Sequence, residues 1–326
     1  MILVTGGAGF IGSNLHAALV ARGRETVVVD RLGSGGKWRN LAAHPPARLI
    51  PPPALDDFLA THPPIEIIFH MGAISETTAT DADLVWTTNV ELPLRLWQWC
   101  AARGARFVYA SSAATYGDGA AGFDDAADPA SLAKLAPLNL YGWSKHAFDR
   151  RVAAMLARGE AAPPQWAGLK FFNVYGPNEY HKGPMVSVVK VKFDEAAAGG
   201  PIRLFRSDRP DVPDGEQKRD FIWVGDAVDV MLWLLDSPGV SGLFNLGTGV
   251  ARSYRDMAHA VADAAGLPRR IEFIDMPDAL RGQYQSFTQA RMDRLRAAGY
   301  AGQFTPLEEG VRRYVQHHLM GEDAFI

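Results

Sequence analysis

Short apolar runs alternate along the first half of the chain with segments in which apolar residues recur at helical spacing. The runs predict strands at 1–5, 26–29, 65–69, 107–110 and 168–172. The helical spacing predicts helices over 10–22, 84–102 and 141–157. Strands that alternate with helices in this way are typical of a parallel sheet with helices on both faces.

The pattern becomes less regular after residue 173. A helix over 185–197, a polar loop over 207–218 and a strand over 220–224 are predicted there. We therefore expect an α/β fold: a doubly wound parallel sheet with a smaller C-terminal lobe. The predicted boundaries are 1–172 for the first domain, with strand and helix returns from 220–250, and 173–326 for the second lobe.

Composition excludes several classes of protein. The chain has 326 residues, 48% of them hydrophobic, and a net charge of −3, which favours neither a nucleic-acid nor a membrane partner. Apolar runs stay shorter than the ~18 residues of a membrane span. A single cysteine, Cys100, sits in an apolar helical stretch, and no His/Cys/carboxylate spacing suggests a metal site. We expect a cytoplasmic protein without a metal.

The first strand leads into a glycine-rich turn. Gly6, Gly9 and Gly12 fall between the strand and the first predicted helix, and Asp30 follows the second strand. Residues without a Cβ let a pyrophosphate approach the backbone N–H groups of a helix N-terminus, and an acid after the second strand suits a ribose hydroxyl. These features predict a Rossmann-type dinucleotide site rather than a turn without a ligand.

A tyrosine and a lysine one helical turn apart form a candidate proton-transfer pair. Tyr141 and Lys145 share a helix face. Lowering a tyrosine pKa from ~10 to ~7 takes about 4 kcal/mol, and a nearby ammonium can supply part of it. Alone, the pair is also compatible with a core tyrosine and a surface lysine.

Serine residues at the end of the strand over 107–110 add to the pair. Ser112 falls where parallel strands place ligands and can donate a hydrogen bond to a substrate oxygen. Ser111 and Thr115 are alternatives for this role, and each of the three could instead cap the turn.

Taken together, VTGGAGFIG, YASSAATYG and the YxxxK pair resemble the extended short-chain dehydrogenase/reductases. NVYGPNEYHKG, RDFIWVGD, GLFNLGTG and GQYQSFTQA narrow the resemblance to the ADP-L-glycero-D-manno-heptose 6-epimerases, from residue 1 to about residue 314. This resemblance implies inversion at C6 of an ADP-linked heptose through a 6-keto intermediate, for the inner core of bacterial lipopolysaccharide. It also implies a homo-oligomer, with a pentamer suggested.

The resemblance implies that Tyr141 and Lys182 are the two acid/base groups, assisted by Ser112 and Lys145. A substrate that turns between oxidation and reduction needs a proton carrier in each orientation. Without the resemblance, the sequence context of Lys182 favours a phosphate-contacting or surface lysine.

Further positions are matched one by one. The candidate cofactor-binding residues are Gly6, Gly9, Phe10, Ile11, Gly12, Asp30, Arg31, Lys37, Met71, Gly72, Ala73, Ser75, Asn89, Lys145, Val174 and Lys182. The candidate substrate-binding residues are Ser112, Asn173, Pro184, Phe205, Ser207, Arg219, Arg281 and Tyr284. Arg219 and Arg281 suit a diphosphate because a guanidinium donates two parallel hydrogen bonds, although either could be a solvated surface charge.

The sequence leaves alternatives open for the cofactor and for the function. Arg31 and Lys37 can meet a 2′-phosphate that Asp30 alone would repel, which favours NADP and leaves NAD open. A UDP- or dTDP-hexose 4-epimerase or dehydratase is the alternative enzyme, although the neutral Ala113, Ala114 and Thr115 argue against a 4,6-dehydratase. A non-catalytic NADP-sensing protein is the alternative of another class, and it predicts a broken catalytic set.

Overall fold

The computed structural model describes residues 1–277 and 285–326. Its strands are β1 Ile2–Thr5, β2 Thr26–Val29, β3 Arg48–Ile50, β4 Ile67–His70, β5 Arg106–Ser112, β6 Trp166–Phe171, β7 Asn173–Tyr175, β8 Ile202–Phe205, β9 Lys218–Trp223, β10 Gly242–Leu246, β11 Ala251–Ser253 and β12 Ile271–Ile274. Seven of them form a parallel sheet in the order β10–β6–β5–β4–β1–β2–β3. The chain builds outward from β1 to β3 and then returns to the other side of β1, which confirms the predicted doubly wound sheet.

Helices cover both faces of this sheet, and others belong to a smaller lobe. The α-helices of the described residues are α1 Phe10–Ala21, α2 Leu55–Ala60, α3 Ala82–Trp86, α4 Leu92–Arg103, α5 Pro129–Leu132, α6 Leu140–Ala157, α7 Val188–Ala197, α8 Val224–Asp236, α9 Tyr254–Ala264, α10 Asp293–Ala297 and α11 Leu307–Tyr314. Leu15 of α1 and Met231 of α8 pack on one face, and Trp97 of α4 and Phe148 of α6 on the other. Every residue of β1 is buried, as expected for a strand enclosed on both sides.

A smaller lobe stands beside the carboxyl ends of the sheet. It contains a three-stranded sheet in the order β11–β9–β7 and a parallel pair of β8 with β12. Phe193 of α7, Met257 of α9 and Val311 of α11 pack together in its hydrophobic core. β9 leads directly into α8, so this lobe is continuous with the main sheet.

The predicted helix over 84–102 is present as one helical stretch over 82–103. Within it, a π turn over Thr87–Glu91 separates α3 from α4. Pro93 lies at the start of α4 and has no N–H to donate within the helix. The π turn matters because it contains the buried Asn89.

The predicted helix over 185–197 begins later, at Val188. Ser187 caps α7 by accepting a hydrogen bond from the backbone N–H of Lys190. Residues Tyr180–Met185 instead form a separate 3₁₀ turn that is interrupted at Gly183, where φ is 54°. This separate turn carries Lys182.

Two further findings concern the described residues alone. None of their helices combines the length and the apolar character needed to cross a bilayer. Within 1–277 and 285–326, no group of three or more histidine, cysteine and carboxylate side chains is arranged to hold a metal ion.

Candidate active site

A cleft of about 470 Å³ opens at the carboxyl ends of β1, β4 and β5. It lies beside the point where the strand order reverses between β1 and β4, which is where open α/β sheets bind ligands. Its far wall is formed by β7 and the 180–189 segment of the smaller lobe. Most of the predicted cofactor residues line this cleft.

The glycine turn fits a dinucleotide backbone. Gly6 has φ 66°, and a Cβ there would lie 2.6 Å from Cα of Gly72. A Cβ on Gly12 would lie 2.2 Å from the carbonyl oxygen of Gly6. The turn therefore packs its own backbone closely and presents the N-terminus of α1, beginning at Phe10 and Ile11, to the cleft.

Asp30 and Lys37 lie together at one end of the cleft. Oδ2 of Asp30 accepts a hydrogen bond from the N–H of Ala8 at 2.9 Å, and Oδ1 lies 2.6 Å from Nζ of Lys37. The Lys37 ammonium thus neutralises Asp30 at the cleft wall. The side chain of Arg31 is exposed and does not line the cleft. Lys37 is therefore the residue that brings a positive charge next to Asp30.

His181 also lines this end of the cleft and was missed by the sequence reasoning. Its Nδ1 lies 3.3 Å from Nδ2 of Asn40. Burial lowers the pKa of His181 to about 4, and the charges of Lys37 and Lys182 act in the same direction. The histidine of the HKG run was the available signal, but the sequence reasoning used only the lysine.

Tyr141, Ser112 and Lys145 meet inside the cleft. Asn139 caps α6 by accepting a hydrogen bond from Gly142, which fixes the helix start at Leu140. The side chain of Ser112 lies close enough to Tyr141 to lower its pKa. Nζ of Lys145 donates to the carbonyl oxygen of Ala110 at 2.7 Å, and burial lowers its pKa to about 8.

The pKa of Tyr141 differs from the sequence expectation. Burial raises it, and the neighbouring Ser112 side chain opposes that rise only in part. Nζ of Lys145 is engaged by the carbonyl oxygen of Ala110. Tyr141 is therefore held as a phenol in the protein alone.

A buried ion pair beneath the cleft distinguishes the three candidate hydroxyls. Nζ of Lys170 lies 2.9 Å from Oδ2 of Asp149, with both side chains fully buried. Ser111 Oγ donates to the same Oδ2 at 2.7 Å, and Thr115 Oγ1 lies 2.6 Å from Nζ of Lys170. Of the three, Ser112 is the one whose side chain affects the pKa of Tyr141.

Lys182 lies on the opposite wall, on the Tyr180–Met185 turn. Its Nζ stands 5.4 Å from the centre of the Phe10 ring, within cation–π range. Burial lowers the pKa of Lys182, and the nearby Glu179 opposes this shift. A lysine with a lowered pKa can exchange a proton near neutral pH more readily than an exposed one.

The remaining predicted residues divide between the cleft and its surroundings. Those that line it are Met71, Gly72, Ala73, Ser75, Asn173 and Val174. Asn89 instead lies behind the wall, where its amide exchanges hydrogen bonds with both backbone groups of Ile74 and donates to Ser144. It supports the segment between Ala73 and Ser75.

The predicted substrate residues lie mostly beyond the cleft lining. Pro184 is exposed on the Lys182 turn, and Phe205 and Ser207 lie at the end of β8. Arg219 is buried on β9, with its guanidinium 5.6 Å from the ring of Tyr254. Arg281 and Tyr284 fall outside the described residues.

Additional residues line the cleft that were given no role of their own in the sequence analysis. They are Phe171, Phe172, Tyr175, Met185, Val186, Ser187, Val188, Val189 and Phe221. Their mostly apolar character is indistinguishable in sequence from that of core positions, so only the fold reveals them.

Comparison with known proteins agrees with this geometry. The model of the NAD dependent epimerase/dehydratase family matches residues 2–247. A Nitratidesulfovibrio vulgaris (strain DP4) protein named ADP-L-glycero-D-manno-heptose-6-epimerase is 48% identical over 333 aligned positions, which cover 100% of both chains.

Two solved structures are similar over nearly the whole chain. The Helicobacter pylori ADP-L-glycero-D-manno-heptose-6-epimerase is 28% identical with a TM-score of 0.77, covering 97% of this chain and 95% of that one. The Thermus thermophilus UDP-glucose 4-epimerase, solved in complex with NAD, is 27% identical with a TM-score of 0.75, covering 97% and 98%. A nicotinamide dinucleotide is thus supported as the cofactor of an epimerase. The chain belongs to the NAD dependent epimerase/dehydratase family and, within it, to the ADP-L-glycero-D-manno-heptose-6-epimerases.

Proposed function

We propose that the protein interconverts ADP-D-glycero-β-D-manno-heptose and ADP-L-glycero-β-D-manno-heptose through a 6-keto intermediate. The observation that carries this proposal is one cleft lined by the glycine turn, by the neighbouring pair of Tyr141 and Ser112, and by Lys182 on another element. A hydride-transfer site with two separate proton carriers suits inversion at a carbinol carbon.

The proposed cofactor is NADP, with NAD as the alternative. When bound, the nicotinamide takes up a hydride from C6 and returns it. The glycine turn with Gly72 would receive the pyrophosphate, and Lys37 would face the ribose. Because Lys37 offsets the charge of Asp30 at 2.6 Å, a 2′-phosphate meets a balanced pair rather than a bare carboxylate. Arg31 is exposed next to this pair and adds positive charge at the mouth.

Tyr141 would serve one orientation of the substrate. As the 6-hydroxyl becomes a carbonyl, its proton would go to Tyr141 in the phenolate form, and in the reverse direction the resulting phenol would give the proton back. Ser112, which lies next to Tyr141, would hold the substrate oxygen through its hydroxyl. Lys145, with its pKa lowered to about 8, still carries a positive charge on most molecules at neutral pH and favours the phenolate.

Lys182 would serve the other orientation. After the 6-keto group turns to present its opposite face, its oxygen lies toward the wall formed by the Tyr180–Met185 turn. The Lys182 ammonium donates the proton that completes the alcohol, and the amine accepts it in the reverse direction. Burial lowers the pKa of this lysine, which brings both forms within reach.

The sugar nucleotide would extend from the cleft toward the smaller lobe. Asn173 lines the cleft beside Val174, and we propose that it contacts the sugar. Phe205, Ser207 and Arg219 lie farther along the same lobe, where we propose that they hold the ADP portion. Pro184, Arg281 and Tyr284 stay candidate substrate residues from the sequence. The proposal includes a cytoplasmic homo-oligomer, with a pentamer as the expected state to be measured by light scattering.

Chromatographic separation of the two heptose epimers tests the function. Purified protein incubated with either ADP-heptose epimer should give the same equilibrium mixture, without added oxidant and after treatment with a chelator. UDP-glucose is the matched control substrate, and Tyr141→Phe is the matched control protein. Turnover of UDP-glucose without turnover of ADP-heptose would assign the chain to the 4-epimerases instead.

A further inference from the structure

Asn178 occupies an unusual backbone position directly before the turn that carries Lys182. Its φ is 71°, in the left-handed region that favours glycine and that asparagine tolerates. It is fully buried and does not line the cleft. A polar side chain held there needs partners.

Three separate segments supply those partners. Nδ2 of Asn178 donates to Oγ of Ser13 at 3.0 Å, and its backbone oxygen accepts from Nδ2 of Asn40 at 2.9 Å. Oδ1 accepts from the backbone N–H of Ile326 at 3.1 Å. We refer to Asn178, Ser13, Asn40 and Ile326 as the Asn178 junction.

Two members of the junction also connect to the dinucleotide cradle, the name we give to the glycine turn over 6–12 and the first turn of α1. Ser13 lies in the first turn of α1, directly after Gly12. Asn40 donates a second hydrogen bond, at 2.9 Å, to the carbonyl oxygen of Ala8 within the glycine turn. A parallel link comes from Asn14 of α1, whose Nδ2 donates to the backbone oxygen of Pro177 at 3.0 Å. Buried hydrogen bonds therefore connect the dinucleotide cradle to residues 177–178.

The other side of the junction leads to Lys182. Glu179 is fully buried, and its carboxyl accepts hydrogen bonds from Ser187 Oγ at 2.6 Å and from the Tyr314 hydroxyl at 2.9 Å. The backbone N–H of Lys182 donates to the carbonyl oxygen of Glu179 at 3.0 Å. The Lys182 turn is thus held at both ends, and its first fixed point is the residue that follows Asn178.

We propose that Asn178 is a positioning residue that couples occupancy of the dinucleotide cradle to the placement of Lys182. A ligand that orders the glycine turn also orders Ser13 and Asn40, and through Asn178 it orders the turn that follows. By reciprocity, a well-ordered Lys182 turn strengthens dinucleotide binding. The significance of this coupling for acid/base chemistry rests on the proposed function, but the coupling itself is measurable without a sugar.

Asn178→Gly tests the coupling because glycine keeps the backbone conformation and removes both side-chain hydrogen bonds. Amide hydrogen exchange of the 179–187 peptide is measured with and without NADP⁺, and NADP⁺ affinity is measured by calorimetry. In the wild type, NADP⁺ should slow exchange of this peptide. In the variant, the slowing should be lost and the affinity should fall fivefold or more.

His62→Gly is the matched control. His62 is the other non-glycine residue with positive φ in the described part of the chain, at 55°, and it is exposed away from the cleft. This variant should keep both the slowing and the affinity. Asn40→Ala removes the links to Ala8 and Asn178 from the other side and decides the matter if Asn178→Gly does not fold.

If NADP⁺ slows exchange of the 179–187 peptide in the tested variant as it does in the wild type, Asn178 is only a structural residue and the coupling is wrong. An inactive wild type in the heptose assay with the exchange results as expected would overturn the proposed function and leave the coupling in place.

Discussion

Nζ of Lys37 lies 2.6 Å from Oδ1 of Asp30 at the wall of the cleft. An acid after the second strand of such a sheet ordinarily disfavours a 2′-phosphate, and here the positive charge of Lys37 offsets the negative charge of Asp30. The pair is more than three-quarters buried on both sides, so solvent screens it less than a surface ion pair.

Lys37→Met should therefore change cofactor preference. We expect NADP⁺ affinity to fall about tenfold or more while NAD⁺ affinity changes little, because only the 2′-phosphate needs the cation. Calorimetry with each dinucleotide measures the two affinities. Lys134→Met, at an exposed position away from the cleft, is the control. Equal losses for both dinucleotides would remove the specificity role of Lys37.

Tyr141→Phe should keep the fold and dinucleotide binding while lowering kcat by a factor on the order of 10² or more, because only the proton carrier is lost. Ser112→Ala should lower kcat less, since the phenol is retained. Rates of epimerisation measured across a pH series give both results. Tyr300→Phe removes a buried phenol outside the cleft and should keep the wild-type rate. A near-native rate for Tyr141→Phe would make Tyr141 a packing residue.

Asp125 provides a pH-dependent anchor for the segment after Tyr116. Its Oδ2 accepts a hydrogen bond from the N–H of Asn245 at 2.7 Å, and burial raises its pKa to about 6. A folded-state pKa above the ordinary value of 3.8 means that this group's contribution to stability is greatest below pH 4 and is lost as pH rises to about 6.

Asp125→Asn keeps an acceptor for Asn245 without the charge. The free energy of unfolding of the wild type relative to this variant should therefore fall by roughly 2–3 kcal/mol between pH 4 and pH 6.5. Urea unfolding at several pH values measures this difference. A difference that stays constant across the series would show that Asp125 titrates alike in the folded and unfolded states.

The sequence predicted the parts of the fold that depend on local patterns. The strand over Thr26–Val29 and the glycine turn follow from a buried β-branched run and from the steric needs of a tight turn. The π turn over Thr87–Glu91 was not predicted, because its apolar spacing is close to that of an α-helix.

The candidate site was predictable where a motif carries the chemistry. Tyr141, Ser112 and Lys182 stand in such motifs, and the structure brings all three to one cleft. Asn178 carries no such signal, since its importance comes from partners far away in the chain, at Ser13 and Ile326. The resemblance implied Ser112 rather than Ser111, and only the structure shows a physical reason, because Ser111 donates to the buried Asp149, 38 residues away in the chain.

Lys182 and Tyr141 line the cleft from different elements, the Tyr180–Met185 turn and α6. Their proposed roles can be told apart by measuring the two half-reactions. If each group serves one orientation of the substrate, removing either should stop epimerisation and leave part of a half-reaction to the other. An ADP-sugar with an aldehyde at C6 can be both oxidised and reduced there, so its disproportionation reports the half-reactions separately. Tyr141→Phe and Lys182→Met should each lose full turnover and differ in residual disproportionation. Lys190→Met, on α7 outside the cleft lining, is the control and should epimerise normally. Epimerisation by Lys182→Met at the wild-type rate would mean that Tyr141 serves both orientations and that Lys182 only contacts Phe10 and the bound ligand.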